Sequence, residues 1–194
     1  MTGFTAPVSL VGDAVRLDPL VAADADELAA AAADGELWTL RVTVVPRPEE
    51  TAAFVRRRLD EAAAGTWVPF VVRAGGRVVG LTNYLHLDEA NRRLEIGGTW
   101  YAASAQRTAV NTEAKLLLLG RAFDTLGCLA VEFRTHHANL RSQAAIERLG
   151  AHRDGVLRQH QIMPDGHVRD TVVYSILADE WPDVRDRLRP RLTS

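Results

Sequence analysis

Residues 106–112 (QRTAVNT) form a polar segment directly ahead of a long apolar helix pattern, and their types and spacing are suited to binding an anion. The first backbone N–H groups of a helix have no partner within the helix and lie at the positive end of its dipole. Arg107 would add a mobile positive charge beside them. The segment therefore predicts an anion site, although the same residues would also serve as an ordinary helix start capped by Thr108.

Asn139 and Ser142 form a second candidate pair, at the start of a later helix pattern. Positions i and i+3 of a helix lie on one face, so both side chains can point into the same cleft. Asn is also a preferred residue for capping a helix N-terminus, and Ser142 would then be the third helical residue without any chemical role. Both interpretations are open at this stage.

Strands and helices that position these residues follow from the spacing of apolar side chains. An entry strand and two helices are followed by three strands rich in β-branched and aromatic residues, with a Gly-Gly turn between the first two of them. The predicted bounds are 8–20 for the entry strand, 24–33 and 46–64 for the helices, and 67–73, 77–86 and 92–101 for the three strands.

Beyond residue 101 the pattern predicts a different arrangement. Leucine spacing from Thr112 predicts a buried helix of about four turns that ends at Gly127, followed by a strand at 129–135 and a helix at 139–150. Strand, helix, strand and helix in that order imply a parallel crossover. A hairpin of 156–163 and 168–177 around a Pro-Asp-Gly turn and a short polar helix at 181–192 complete the chain.

Composition limits the function classes. The chain has 194 residues, 47% of them hydrophobic and 25% charged, with a formal net charge of −2. These values predict a single domain over residues 1–194, with neither nucleic acid nor a membrane as a partner. The lone Cys128 cannot form an intramolecular disulfide, so we expect a cytoplasmic protein. No Cys pair or His-Glu-x-x-His spacing supports a metal site, so we expect none.

Three segments carry a resemblance to a known family: LEIGGTWY, QRTAVNTEAK and THHANLRSQAAIERLGA, all between residues 94 and 151. Together with the order of elements they resemble the GNAT superfamily, and more narrowly the branch that contains the ribosomal-protein alanine N-acetyltransferases. The resemblance implies an α/β (α+β) fold with a mixed, mostly antiparallel sheet of six to seven strands, splayed to bind acyl-CoA. It also implies an N-acetyltransferase that uses acetyl-CoA as co-substrate and needs no metal.

The resemblance assigns the 106–112 segment to the CoA pyrophosphate. Similar proteins have Gln/Arg-x-x-Gly-x-Gly/Ala there, whereas this chain has Ala109 and Asn111 at the two positions that are usually glycine. The side chains of these two residues would leave the pyrophosphate less room to approach the backbone N–H groups. Asn139 would contact the pantetheine arm or order the crossover. The implied CoA-binding residues are Trp100, Gln106, Arg107, Thr108, Ala109, Val110, Asn111, Thr112 and Asn139.

Catalytic roles are implied for Ser142 and Glu95. Ser142 would lie near the thioester sulfur and protonate the leaving thiolate, and three tyrosines rank below it as alternatives: Tyr84, Tyr101 and Tyr174. Glu95 would be the general base, because it lies on the strand expected to line the thioester and its apolar neighbours would make it a stronger base. Glu95 could equally be solvated or pair with an arginine. A strand N–H near Gly97 would polarise the acyl carbonyl.

Acceptor recognition is the least determined feature. Trp38 and His160, with Gly97, are candidates for the acceptor side of the cleft, and Trp38 could equally be a core residue. The acceptor would be a peptide or protein N-terminus or a small-molecule amine. Two rival functions are transfer of a larger acyl group such as succinyl, and acyl-CoA binding without catalysis. Dimers are common among similar proteins, so a homodimer is a further expectation that no residue pattern decides.

Overall fold

The computed structural model describes residues 3–40, 42–163 and 165–192, which form eight strands and five α-helices. The strands are β1 (Leu10–Val11), β2 (Arg16–Pro19), β3 (Trp67–Ala74), β4 (Arg77–Asp88), β5 (Arg93–Tyr101), β6 (Ala130–His136), β7 (His152–Ile162) and β8 (Val168–Leu177). The helices are α1 (Ala25–Ala33), α2 (Thr51–Ala63), α3 (Ala109–Gly120), α4 (Leu140–Leu149) and α5 (Trp181–Leu188). Pro164, in the turn predicted between the last two strands, lies outside the described residues.

The predicted entry strand is two short strands rather than one. A turn separates β1 from β2, and the buried carboxylate of Glu113 on α3 accepts hydrogen bonds from the backbone N–H groups of Asp13, Ala14 and Val15 at 2.7 to 2.8 Å. A carboxylate that accepts three N–H groups fixes such a turn, because those donors would otherwise lack partners in the folded state. The sheet therefore has eight strands instead of the six to seven expected.

Helix α3 begins at Ala109, three residues before the predicted start at Thr112. Thr108 is its N-cap, and the Thr108 hydroxyl accepts a hydrogen bond from the Val110 N–H at 3.3 Å. A five-residue π-helical turn (Arg121–Thr125) follows the helix, and Gly127, with φ of +67°, ends it as predicted. The helical segment is therefore capped at Thr108 and ends at Gly127. Its early start places the polar 106–112 segment around its first turn.

Helix α5 is amphipathic, whereas its sequence predicted a polar helix. Trp181, Val184 and Leu188 are buried at the i, i+3 and i+7 spacing of one helical face. The Trp181 ring stacks on Phe123 with centroids 5.6 Å apart. The helix thus closes the core beside α3. None of the described helices is long and apolar enough to cross a membrane.

The sheet has the order β1-β2-β3-β4-β5-β6-β8-β7, and β5 and β6 are its parallel pair. This confirms the predicted parallel crossover. The two strands pair only over residues 93–95 and 130–132. Beyond these positions they diverge, and the backbone of each faces a gap.

Two apolar clusters lie on opposite faces of the sheet. Leu94, Ile96 and Phe133 pack in one cluster with residues of α3 and α4. Leu81 and Trp100 pack in the other with residues of α1 and α2. Residues of both clusters line the gap between β5 and β6, among them Phe133 and Trp100, so the gap opens toward both layers.

Candidate active site

A cleft of about 970 Å³ occupies the gap where β5 and β6 diverge, and it is called the β5–β6 cleft below. Its walls come from the connection between α1 and α2, the second half of β5, the start of α3, the end of β6, and α4. Among the described residues, six arginines and one lysine line the cleft, and no aspartate or glutamate does. A cleft with this charge attracts anionic ligands.

The 106–112 segment forms one wall of the cleft, as the sequence predicts. Gln106, Arg107, Thr108, Asn111 and Thr112 are among the lining residues. Arg107 is exposed and has a φ of +62°, a backbone conformation that is uncommon for a residue with a side chain. The segment thus presents a helix N-terminus and a mobile cation to the cleft.

Two residues of the predicted CoA-binding set do not line the cleft. Val110 is buried in the core with only 7% of its surface exposed, and Ala109 is the first residue of α3. Of the two positions where similar proteins have glycine, only Asn111 therefore brings a side chain to the cleft wall.

Asn139 and Ser142 both line the cleft, and the capping interpretation is correct as well. The Asn139 Oδ1 atom accepts a hydrogen bond from the Ser142 N–H at 3.1 Å and so caps α4. The Ser142 hydroxyl has no hydrogen-bond partner among the described residues. A serine held in this way on the first turn of a helix presents a free hydroxyl to a ligand in the cleft.

A β-bulge shapes the wall of the cleft at Gly97 and Gly98. Leu81 pairs with Trp100 and Asn83 with Gly97, so β5 has one more residue than β4 over this stretch. Gly98 has a φ of +57°, and the Asn83 side-chain amide donates to the carbonyls of Gly97 and Gly98 at 3.0 and 3.2 Å. A Cβ atom at Gly98 would lie 2.7 Å from that amide nitrogen, so any larger residue would displace the Asn83 side chain.

Trp100 and Tyr101 follow the bulge and line the cleft with two buried polar atoms. The Trp100 Nε1 and Tyr101 hydroxyl groups are buried without a hydrogen-bond partner among the described residues. Burial raises the pKa of Tyr101, which keeps its hydroxyl protonated. Of the three tyrosines considered as alternatives to Ser142, Tyr101 is the one among the described lining residues. Tyr84 donates to the Leu118 carbonyl in the core, and Tyr174 contacts Glu147.

Glu95 does not have the apolar environment expected for it. Its carboxylate lies 2.8 Å from His86 Nδ1 and 3.3 Å from Arg134 Nε, and Glu95 is not among the lining residues. The side chain runs beneath Gly97, since a Cβ atom there would be 2.5 Å from Glu95 Oε1. The alternative of pairing with an arginine is therefore correct, and the role of Glu95 as a base stays a prediction.

Of the three residues predicted on the acceptor side, Gly97 lines the cleft, whereas Trp38 and His160 lie outside the lining. Trp38 is half-buried in the connection between α1 and α2, and its neighbours Leu37 and Leu40 line the cleft instead. His160 lies on β7 with Nδ1 3.1 Å from Thr171 Oγ1. On this side, Trp67 lines the cleft with the Arg58 guanidinium 4.0 Å above its ring.

Lys115 is a lining residue that the sequence interpretation missed. Its amine donates to the hydroxyls of Thr99 at 2.7 Å and Thr82 at 3.2 Å, and it has no ion pair among the described residues. Burial lowers the pKa of Lys115 to about 7. The sequence offers one signal, since Lys115 is its only lysine and directly precedes a run of four leucines, but this does not indicate the threonines that it contacts.

The histidines give no sign of a metal site. His136 Nε2 lies 3.1 Å from His167 Nε2, and the His136 ring stacks on His137. No group of three or more potential ligand residues is found within 3–40, 42–163 and 165–192.

A cleft between splayed parallel strands that ends at a capped helix N-terminus is the arrangement implied by the three segments quoted above. The family model described as "Acetyltransferase (GNAT) domain" matches residues 14–152. The chain belongs to the GNAT acetyltransferase family. As such it is an acyl-CoA-dependent N-acetyltransferase, and acetyl-CoA is the acyl donor of this family.

Solved structures of similar sequence agree with the GNAT assignment. An acetyltransferase from T. thermophilus is 36% identical, with a TM-score of 0.86 over 99% of this chain and 100% of that chain. A GCN5-related N-acetyltransferase from Brucella melitensis is 31% identical, with a TM-score of 0.85 over 96% and 86%. Mycobacterium smegmatis RimJ, in complex with CoA-disulfide, is 22% identical over 96% and 95% with a TM-score of 0.81, and it shares the fold. A comparison with curated proteins gives no match.

Proposed function

We propose that this GNAT protein transfers an acetyl group from acetyl-CoA to a primary amine by direct attack of the amine on the thioester. The observation that carries the proposal is the β5–β6 cleft, because a single continuous cavity contains a helix N-terminus suited to an anion, a glycine bulge and a free serine hydroxyl. Each of these features serves one part of such a reaction.

The donor would bind with its pyrophosphate at the start of α3. Backbone N–H groups of the first turn and the Arg107 and Arg141 side chains supply positive charge there. The pantetheine arm would then extend along the unpaired edge of β5, past Asn139. An extended arm in this gap can use the strand N–H and C=O groups that β6 leaves without partners.

At the glycine bulge, a strand N–H would donate to the thioester carbonyl and stabilise the charge that develops on its oxygen. A C–N bond forms as the C–S bond breaks. The Ser142 hydroxyl would give a proton to the departing thiolate, and the proton lost by the amine would pass to a base, for which Glu95, acting through water, is the predicted group.

Calorimetric titration with acetyl-CoA, followed by measurement of thiol release over a panel of amines, tests the proposal. We expect binding with a 1:1 stoichiometry and thiol release that depends on an added amine. Absence of acetyl-CoA binding would refute the proposal. Binding without turnover on any amine would favour an acyl-CoA sensor instead.

A second candidate is transfer of an acyl group that ends in a carboxylate, such as succinyl. The observation that favours it is Lys115, a buried amine on the cleft wall with no acidic partner among the described residues, because a bound carboxylate would stabilise its charged form. Parallel assays with succinyl-CoA and the neutral butyryl-CoA distinguish the two, because only a carboxylate-binding pocket would prefer succinyl-CoA.

A further inference from the structure

Arg169 on β8 belongs to the β5–β6 cleft but has no place in the mechanism proposed above. It is half-buried, and its Nε donates to Thr171 Oγ1 at 3.1 Å. Its two terminal nitrogens have no hydrogen-bond partner, and it forms no ion pair, among the described residues. Burial lowers the pKa of Arg169, which reflects the cost of holding a charge there without a counter-ion in direct contact.

Strand alternation places Arg169 on the face of the sheet opposite α3 and α4. Val131 and Phe133 pack against those helices, so Arg134 and His136 on β6 point to the other face. His136 is paired in register with Thr171, which the Arg169 side chain contacts. Arg134, His136 and Arg169 all line the cleft, so Arg169 forms part of its wall on this face.

Positive charge is in excess on this face of the cleft. Two carboxylates on this face are already committed, since Glu95 pairs with His86 and Arg134, and Glu132 pairs with Arg93 and Arg134. Arg169 therefore has no carboxylate among the described residues in direct contact with it. Burial is the main cause that lowers the pKa of His136. His137, Arg169 and His167 lower it further, and Asp170 opposes them without reversing the shift.

CoA phosphates are not the expected partner of Arg169. The anion site at the start of α3 has Arg107 and Arg141 beside it, and Arg141 also contacts Gln106 of that segment. Arg169, by contrast, lies on β8 among side chains of the face that α3 and α4 do not cover. An anion that reaches it would come from the acceptor.

We propose that Arg169 binds a carboxylate of the acceptor, so that the acceptor is an amine that carries an acid group close to its amino group. A free amino acid has this chemistry, and so does a peptide N-terminus followed by an acidic residue. A guanidinium matches a carboxylate with two parallel hydrogen bonds, which also fixes the direction of the bound amine. Amines with several positive charges, such as polyamines, would be repelled.

This inference rests on the proposed function where it is tested by kinetics, because the kinetic test requires acetyl transfer. The binding test does not require it. The kinetic test compares kcat/KM for leucine with leucinamide, and for alanyl-glutamyl-alaninamide with alanyl-glutaminyl-alaninamide. The first pair tests a free amino acid, and the second tests an acidic peptide. We expect at least a tenfold preference for the acid in one of the two pairs, as a charge-assisted hydrogen bond supplies.

The variants are Arg169→Gln, which removes the charge, Arg169→Lys, which keeps it, and Arg77→Gln as a control at the exposed first residue of β4. Arg169→Gln should reduce the preference for the acid to below about threefold, Arg169→Lys should restore part of it, and Arg77→Gln should retain it. CoA titration of each variant verifies that the protein is folded.

The binding test measures affinity of N-acetyl-leucine and N-acetyl-leucinamide, or the corresponding N-acetyl peptides, for the CoA complex. It requires no turnover, so it remains informative even if no amine is acetylated and the proposed function fails. No preference for the acid in either pair, or a preference that persists in Arg169→Gln, would overturn the inference. A fall in CoA affinity in Arg169→Gln without loss of acid preference would assign Arg169 to the donor and also overturn it.

Discussion

The Arg141 guanidinium donates a hydrogen bond to Gln106 Oε1 across 3.3 Å. Gln106 also donates to the Tyr101 carbonyl at the end of β5. The contact therefore joins the first turn of α4 to the segment before α3 and to the last residue of β5. These are the elements that surround the proposed pyrophosphate site, and the two hydrogen bonds of Gln106 connect them.

Arg141→Gln should weaken CoA binding by roughly threefold to tenfold, since an exposed charge contributes modestly and salt screens it. Titrations with CoA at low and high salt measure the effect, and the variant should lose less affinity than the wild type when salt is added. The exposed Arg77→Gln substitution serves as the control. Equal affinity and equal salt dependence in both variants would remove Arg141 from the donor site.

Ser142→Ala should lower kcat more than it changes CoA affinity, because a proton donor acts in the transition state rather than in the binding of the donor. Tyr101→Phe is the matched comparison, since Tyr101 is the tyrosine in the cleft with an unpartnered hydroxyl. We expect the Ser142 substitution to have the larger effect on kcat. The reverse order in steady-state assays would transfer the proton-donor role to Tyr101.

Gly98→Ala should destabilise the protein and reduce kcat by about a hundredfold through displacement of the bulge. Gly75→Ala is a matched control, because Gly75 has nearly the same φ, +56° against +57°, but has no atom within 4 Å of its added Cβ. In both variants, an alanine at positive φ costs about 1 kcal/mol of backbone strain. Urea denaturation should show a further loss in Gly98→Ala alone, from the contact with Asn83, and equal losses would contradict this account.

Much of the fold could be predicted from the sequence because its signals are local. Helix α4 begins after Asn139 and ends at Gly150, whose φ is +101°, and both residues act where a cap and a stop were expected. The predicted start of α3 at Thr112 was wrong although its cap, Thr108, is a local signal. The split of the entry strand was missed because it depends on a distant contact. The turn before β2 is fixed by Glu113, about a hundred residues away in the chain.

The residues of the candidate site also divide into those with a local signal in the sequence and those that depend on distant contacts. Asn139 and Ser142 were recognised from a spacing within one helix, and the cleft contains both. Lys115, in contrast, depends on Thr82 and Thr99, which lie 33 and 16 residues away on two different strands. No local pattern reports such a contact, and a lysine in a helix is normally exposed.

Lys115→Met should stabilise the protein, and the gain should depend on pH. Burial lowers the pKa of Lys115 to about 7, against about 10.4 in an unfolded chain. Below pH 7 the amine is protonated in both states, and the folded state bears the full cost of burying the charge. Between pH 7 and about 10 the unfolded chain holds a proton that the folded one has released, so the free energy of unfolding of the wild type rises with pH.

The variant lacks this titration, so its advantage over the wild type should be greatest at or below pH 7 and should shrink as the pH approaches 10. Urea denaturation of both proteins at pH 6.5 and pH 9.5 measures the difference, and other titrating groups cancel because the two proteins share them. A stability difference that stays constant with pH would mean that Lys115 keeps an ordinary pKa, and that the cleft wall holds its charge at little cost.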